Sequence, residues 1–79
     1  MTENYFFEKF LEQFEESDLS QITIDSEFRS IEEWSSMMAL VIIAMVDEEF
    51  GITITGDDIR KSVTIRDVYN VVAARKTAV

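Results

Sequence analysis

The stretch SSMMALVIIAMVDEEFG, residues 35–51, decides how this chain folds. Met37 to Val46 is an unbroken apolar run of ten residues, against the roughly 20 that a bilayer-spanning helix needs. The flanks mark it as a helix of a globular domain. Ser35 or Ser36 can cap the first free backbone N–H groups, and Gly51 supplies the left-handed residue on which helices commonly stop. At 100° per residue, Ala39, Ile42, Ile43, Val46 and Phe50 share one side, which is sufficient for core packing. Met37, Val41, Ala44 and Glu48 lie opposite, with Met38 and Met45 beside them, and charge arrives only at the end as Asp47, Glu48 and Glu49. An ordinary surface helix would be polar on that side. Either the helix is buried all round, or the second face receives partners. In a 79-residue chain neighbours cover only part of its circumference, which favours a docking face of Met37, Met38, Val41, Ala44, Met45, Asp47 and Glu48. Methionine adapts its shape to different surfaces.

Outward from this helix, the N-terminal side predicts a first helix from about Glu3 to Glu16. Phe7, Phe10, Leu11 and Phe14 fall at i, i+3, i+4 and i+7, one helical face. Ser17-Asp18 ends it, and a long connection to Ser35 follows, in which Phe28, Ile31 and Trp34 are the apolar anchors. Ile22-Thr23-Ile24 could pair as a strand but has no clear neighbour, so it reads as ordered loop. On the C-terminal side, Ile52-Thr53-Ile54-Thr55 alternates without an obvious partner. Thr55-Gly56-Asp57-Asp58 has the pattern of a capping box and predicts a short helix to about Lys61. Thr64-Ile65-Arg66-Asp67 predicts a last helix to about Lys76, with Ile65, Val68 and Val72 on its inner face. The expected fold is all-α: a single domain over 1–79, a small bundle of three longer helices and one short one, with a long first loop. An α+β fold built on the two Ile-Thr segments is the alternative.

Composition narrows the function. Sixteen acidic and seven basic residues give a net charge of −9. Such a surface repels nucleic acid and anionic membranes and suits basic protein surfaces. Its self-repulsion should loosen the fold at low ionic strength. With no His and no Cys, a Ser-His-Asp triad cannot be assembled, and thiolate chemistry and the usual zinc site are excluded. The twelve residues from Asp47 to Asp58 misplace the glycine that an EF-hand loop requires. The acidic N-terminus, Met1-Thr2-Glu3-Asn4, lacks the basic region of a signal peptide. The expectation is a monomeric cytoplasmic protein that is not an enzyme and does not insert into membranes.

Phe28-x-x-Ile31-x-x-Trp34-Ser35-Ser36-Met37, followed by Val46-Asp47-Glu48-Glu49-Phe50-Gly51-Ile52, resembles the acyl carrier protein family. That family has a Phe and a Leu in its first loop, then an Asp-Ser-Leu motif, with the Ser fourteen residues before the Phe of a Glu-Glu-Phe-Gly-type helix end. Ser36 and Phe50 keep that spacing. Thr64-Ile65-Arg66-Asp67-Val68 is similar to the start of the family's last helix, and the likeness spans about Phe7 to Val72. The resemblance implies a four-helix bundle with a long first loop. It further implies that Ser36 accepts 4′-phosphopantetheine from coenzyme A through a phosphopantetheinyl transferase. Acyl groups would then be carried as thioesters between fatty-acid or polyketide-type enzymes with basic docking patches. Two departures stand out: Ser35 replaces the family's Asp, and Met37 its Leu. An unmodified carrier-like interaction module, with Ser36 only a cap, is the alternative that the missing Asp favours; a peptidyl or D-alanyl carrier shares the arm but differs in cargo.

Overall fold

The computed structural model describes residues 2–77, and of Thr77 the backbone only. Four helices follow one another: α1 (Glu3–Leu11), α2 (Ser36–Phe50), α3 (Gly56–Lys61) and α4 (Ile65–Thr77), with a 3-10 turn at Phe28–Ser30 in the long connection before α2. α1 packs on α4 and α2, and α3 on α2 and α4. The fold is the all-α carrier-like bundle that the sequence suggests.

Each helix begins where a side chain can satisfy its first amides. Thr2 Oγ1 accepts from Tyr5 N at 3.1 Å. Thr55 and Asp58 form a reciprocal capping box at α3. Thr64 and Asp67 exchange the same pair of bonds at α4, at 3.1 and 2.9 Å. Gly51 ends α2 at φ 66°, the left-handed conformation that a side chain would strain.

α1 stops earlier than its periodicity predicts. Past Leu11 the chain tightens into two i→i+3 turns, Gln13 N to Phe10 O and Phe14 N to Leu11 O, while the Gln13 side chain donates to Lys9 O at 3.0 Å. The turns still deliver Phe14 to the core, so the hydrophobic spacing is kept and the helix is not.

The core joins Phe6, Phe10 and Phe14 to Phe28, Ile31, Ile42, Met45 and Val46, and to Ile52, Ile54, Ile59, Ile65, Val68 and Val72. A file of rings runs through it. Trp34 lies on Phe28 at 4.6 Å, and Phe28 meets Phe10 at 6.3 Å. Phe10 meets Phe6 at 6.1 Å, and Phe6 meets Phe50 at 5.8 Å.

Neither Ile-Thr segment is a strand. Ile24 O accepts from Arg66 N and Ser26 O from Ile65 N, so the first amides of α4 satisfy the loop. A single antiparallel bridge, Glu27 with Thr64, is the residue of sheet pairing among the described residues. Ile52 and Ile54 alternate with Thr53 and Thr55 because the isoleucines are buried and the threonines exposed.

Asp58 does two things. It completes the α3 cap and receives both terminal nitrogens of Arg75, with Nη2 to Oδ1 at 2.7 Å. The Arg75 hydrogen bonds, ahead of the Thr55 contacts, hold its carboxyl well below the usual carboxylate range. A depressed carboxylate contributes stability that is full above its unfolded value, near pH 4, and is lost as pH falls through the native value. Asp58→Ala is therefore expected to cost about 2 kcal/mol at pH 7 and progressively less as pH falls toward 2, measured by urea unfolding at each pH. A cost that does not change with pH would show that the carboxylate charge contributes nothing.

Candidate functional site

Ser35 and Ser36 stand together at the start of α2 and do different things. Ser35 is the N-cap, extended at φ −160° and ψ 174°, and its Oγ accepts from Met38 N at 3.2 Å. Its carbonyl accepts from Ala39 N at 3.1 Å. Ser36 is the first helical residue and is exposed. Among the described residues, no group hydrogen-bonds its hydroxyl. The amides of Ser36 and Met37 remain open in the first turn, where the positive end of the helix dipole favours an anion. α2 carries no acidic residue in that turn.

The chain leading into Ser36 is anchored by an aromatic cluster. Trp34 is half-buried against Phe28 and stacks on Phe14 at 6.3 Å. Trp34 N donates to Ile31 O at 2.9 Å, and Ile31 N to Phe28 O at 3.1 Å. The chain thus reaches Ser35 through a run of tight turns pinned by Phe28, Ile31 and Trp34, the anchors that the sequence singles out. On the outer side, Glu33 accepts from Ser17 Oγ and Glu16 N, both at 2.8 Å, which ties the far end of the loop to the approach to Ser36.

The outer face of α2 differs from the expected one at three positions, Met38, Met45 and Leu40. Met37 is 68% exposed, Ala44, Asp47 and Glu48 are exposed, and Val41 is half-buried. Met45, placed on that face from sequence, is instead 5% exposed and part of the core. Met38, seven residues earlier, is also half-buried against the core. The arc that α1, α3 and the loop cover is wider than the five-residue stripe, and it takes in the Met38–Met45 edge. Leu40, which the sequence reading leaves out, is 62% exposed. It lies three residues after Met37 and four before Ala44, so helical spacing alone could have placed it there. Glu49 is engaged by Tyr5 Oη at 3.0 Å and lies 3.8 Å from Lys9 Nζ.

Ser36 stands on open surface. One groove is lined by Glu3, Asn4, Phe7, Ile22, Thr23 and Ile24, and a second by Thr2, Tyr5, Glu49, Phe50 and Lys76. Both gather round the start of α1, where Tyr5 meets Phe50 at 5.8 Å. The fourteen-residue rise of α2 separates that end from Ser36 by about 21 Å. Among the described residues, no helix is long and apolar enough to cross a membrane.

A family model described as "Phosphopantetheine attachment site" matches residues 7–72. This chain belongs to that family. The protein is therefore a phosphopantetheine carrier, of a family that bears a covalently attached 4′-phosphopantetheine group. Carrier domains of this family are non-catalytic and interact with phosphopantetheinyl transferases and biosynthetic enzymes. No curated protein and no solved structure matches the chain. The geometry suits the carrier's group: an exposed, unpartnered hydroxyl beside open amides can take an anionic phosphodiester without breaking an existing bond.

The two serines separate in stability. Ser35→Ala removes the acceptor for Met38 N and is expected to cost about 1 kcal/mol, whereas Ser36→Ala should stay within about 0.5 kcal/mol of the parent. Chemical denaturation measures both, and equal losses would erase the distinction between cap and free hydroxyl.

Proposed function

We propose that Ser36 is the attachment point and that the carrier passes acyl intermediates between fatty-acid or polyketide-type enzymes. One observation carries the assignment: of two adjacent exposed serines, Ser35 is committed to the helix cap and Ser36 has a free hydroxyl. In the loading reaction, catalysed by a separate transferase, Ser36 Oγ displaces 3′,5′-adenosine diphosphate from the pyrophosphate of coenzyme A. One phosphorus–oxygen bond forms as another breaks, and the hydroxyl proton leaves with the transferase. The arm supplies a terminal thiol, on which acyl groups ride as thioesters. The chain's own residues position and present. Ser35 fixes the first turn, the open amides of Ser36 and Met37 face the phosphodiester, and the Phe28–Trp34 platform keeps the attachment point on the surface. A sequence without His or Cys suits a carrier whose chemistry is done by its partners.

Intact mass after incubation with coenzyme A and a broad-specificity transferase tests this. The parent and Ser35→Ala should gain one phosphopantetheine mass and Ser36→Ala none. A gain retained in Ser36→Ala would overturn the assignment. No gain in any form would favour an unmodified interaction module, the reading that Ser35 in place of the family's Asp supports.

The docking face we assign to α2 has two parts. Met37, Leu40, Val41 and Ala44 form an apolar patch beside Ser36, and Asp47 and Glu48 stand beyond it, their carboxylates without a partner among the described residues. Met38 flanks the patch. Partners would meet the patch with apolar surface and the carboxylates with Arg or Lys, whose attraction is screened by salt while the apolar contact is not. Met37→Ala with Leu40→Ala should raise the transferase KM for this carrier roughly tenfold at any salt concentration, the effect of removing about 1.4 kcal/mol of contact. Asp47→Asn with Glu48→Gln should raise it only at low salt, the effect fading by about 0.5 M. Steady-state kinetics at two ionic strengths separate the pairs, and identical salt responses would refute the two-part surface.

A further inference from the structure

α3 is held differently from the other helices. It has six residues, Gly56–Lys61, of which Ile59 alone is buried. A helix this short has no stability of its own in water, so contacts outside it must hold it in place. Two arginines provide them. Arg75 grips the N-terminal end through Asp58 and also donates to Thr53 O at 3.1 Å.

Arg29, from the 3-10 turn of the long loop, grips the C-terminal end. Its Nη1 donates to Ser62 O at 2.7 Å, and its Nη2 to Ile59 O at 3.1 Å and Arg60 O at 3.3 Å. Ile59 O also accepts from Ser62 N, whereas Arg60 O is of the kind that a helix end leaves unsatisfied, and a cation there also complements the dipole. The same guanidinium lies 4.7 Å from the centre of the Phe28 ring, which packs on Trp34. Arg29 therefore stands between α3 and the aromatic platform that leads into Ser36. Arg29 as a residue is exposed, and water competes for its bond to Arg60 O, while the bonds to Ser62 O and Ile59 O are part-buried.

We infer that Arg29 is a latch: α3 opens as a local unit when the latch releases, and the release also loosens the Phe28–Trp34 contact beside the serine-bearing helix. Segments with few buried apolar contacts and solvent-exposed hydrogen bonds sit at the low end of a protein's stability range and open without global unfolding. α3 meets both conditions, and the geometry of Arg29 gives the opening a trigger and a reporter. Neither depends on modification of Ser36.

Hydrogen–deuterium exchange of the full chain, read with Trp34 fluorescence, tests the latch. Arg29→Ala should speed exchange of the amides of residues 56–63 by at least about tenfold, a little more than one hydrogen bond's net worth. Exchange in α1 and in α4 beyond its first turn should be unchanged, and Trp34 emission should shift. Arg29→Lys keeps the charge but not the planar fork, disturbs the fold least, and should reproduce most of the effect. Unaltered exchange in both variants, a rise spread evenly over the chain, or a local rise with Trp34 emission unmoved would each overturn the proposal.

Discussion

Everything that places Ser36 depends on the packing of Trp34 against Phe28. The chain between α1 and α2 is long and largely irregular, and ordering it costs roughly 1–2 kcal/mol per residue in backbone entropy. It lacks the hydrogen-bond ladder of a regular element. What offsets the cost is burial at a few points: Phe14, Phe28 and Ile31 are at most 4% exposed, and Trp34 closes the group from outside. Phe28 is central because it touches Trp34 and Phe10 with its ring and Arg29 through its face. The loop is in effect a second layer of core laid over α1. Its last anchor lies two residues before the serine, so the start of α2 inherits the rigidity of that layer while its first hydroxyl stays in water.

Charge is organised on the opposite principle. Most of the few cations are used internally. Arg66 joins Asp25 and Glu3 at 2.6 and 2.7 Å, tying the loop and α1 to α4. Arg75 holds Asp58, Arg29 holds carbonyls, and Lys61 pairs with Asp57. The surface that remains is strongly negative. The carboxylates that end α2 are informative because they run against a local rule. Negative groups at a helix C-terminus oppose the dipole, and α2 has no basic residue in its last turn to compensate. Glu49 is used by Tyr5 and Lys9, but the carboxylates of Asp47 and Glu48 have no partner among the described residues. A local cost without an internal return supports the proposal that these two residues meet a partner.

Much of this was legible in the sequence, and what was not has a physical reason. Capping residues announce helix starts through short-range chemistry, so Thr55, Thr64 and the Ser35–Ser36 pair could be read directly. The core face of α4 followed from spacing, but that of α1 did so only at Phe10 and Phe14: Phe6, outside the predicted stripe, is fully buried, and Phe7 and Leu11 are half-buried. Met45 could not be placed, because the width of the arc that neighbours cover on α2 is a tertiary quantity. Methionine is also equally at home on either side of such a boundary. The same uncertainty hid Leu40. The end of α1 was missed because a 3-10 turn delivers Phe14 to the same place as another helical turn. Arg29 was invisible for a different reason: its partners are backbone carbonyls thirty or more residues away, which no side-chain pattern reports.

The division of labour between the two serines bears on how the site is recognised. A cap residue must accept from an amide of the first turn, and Ser and Asp serve about equally well. They differ in charge. An Asp at position 35 would place a full negative charge beside the hydroxyl on a chain already at −9, next to amides suited to a phosphodiester. Ser35 keeps the geometry and leaves that electrostatic field open. On the reading that Ser36 bears the arm, an enzyme that searches for a carboxylate beside the serine finds none. It must recognise this carrier by the shape of the helix start and by the exposed side chains of Met37 and Leu40. Ser at position 35 and the apolar first turns of α2 then fit the same proposal, recognition by contact in place of charge beside the attachment point.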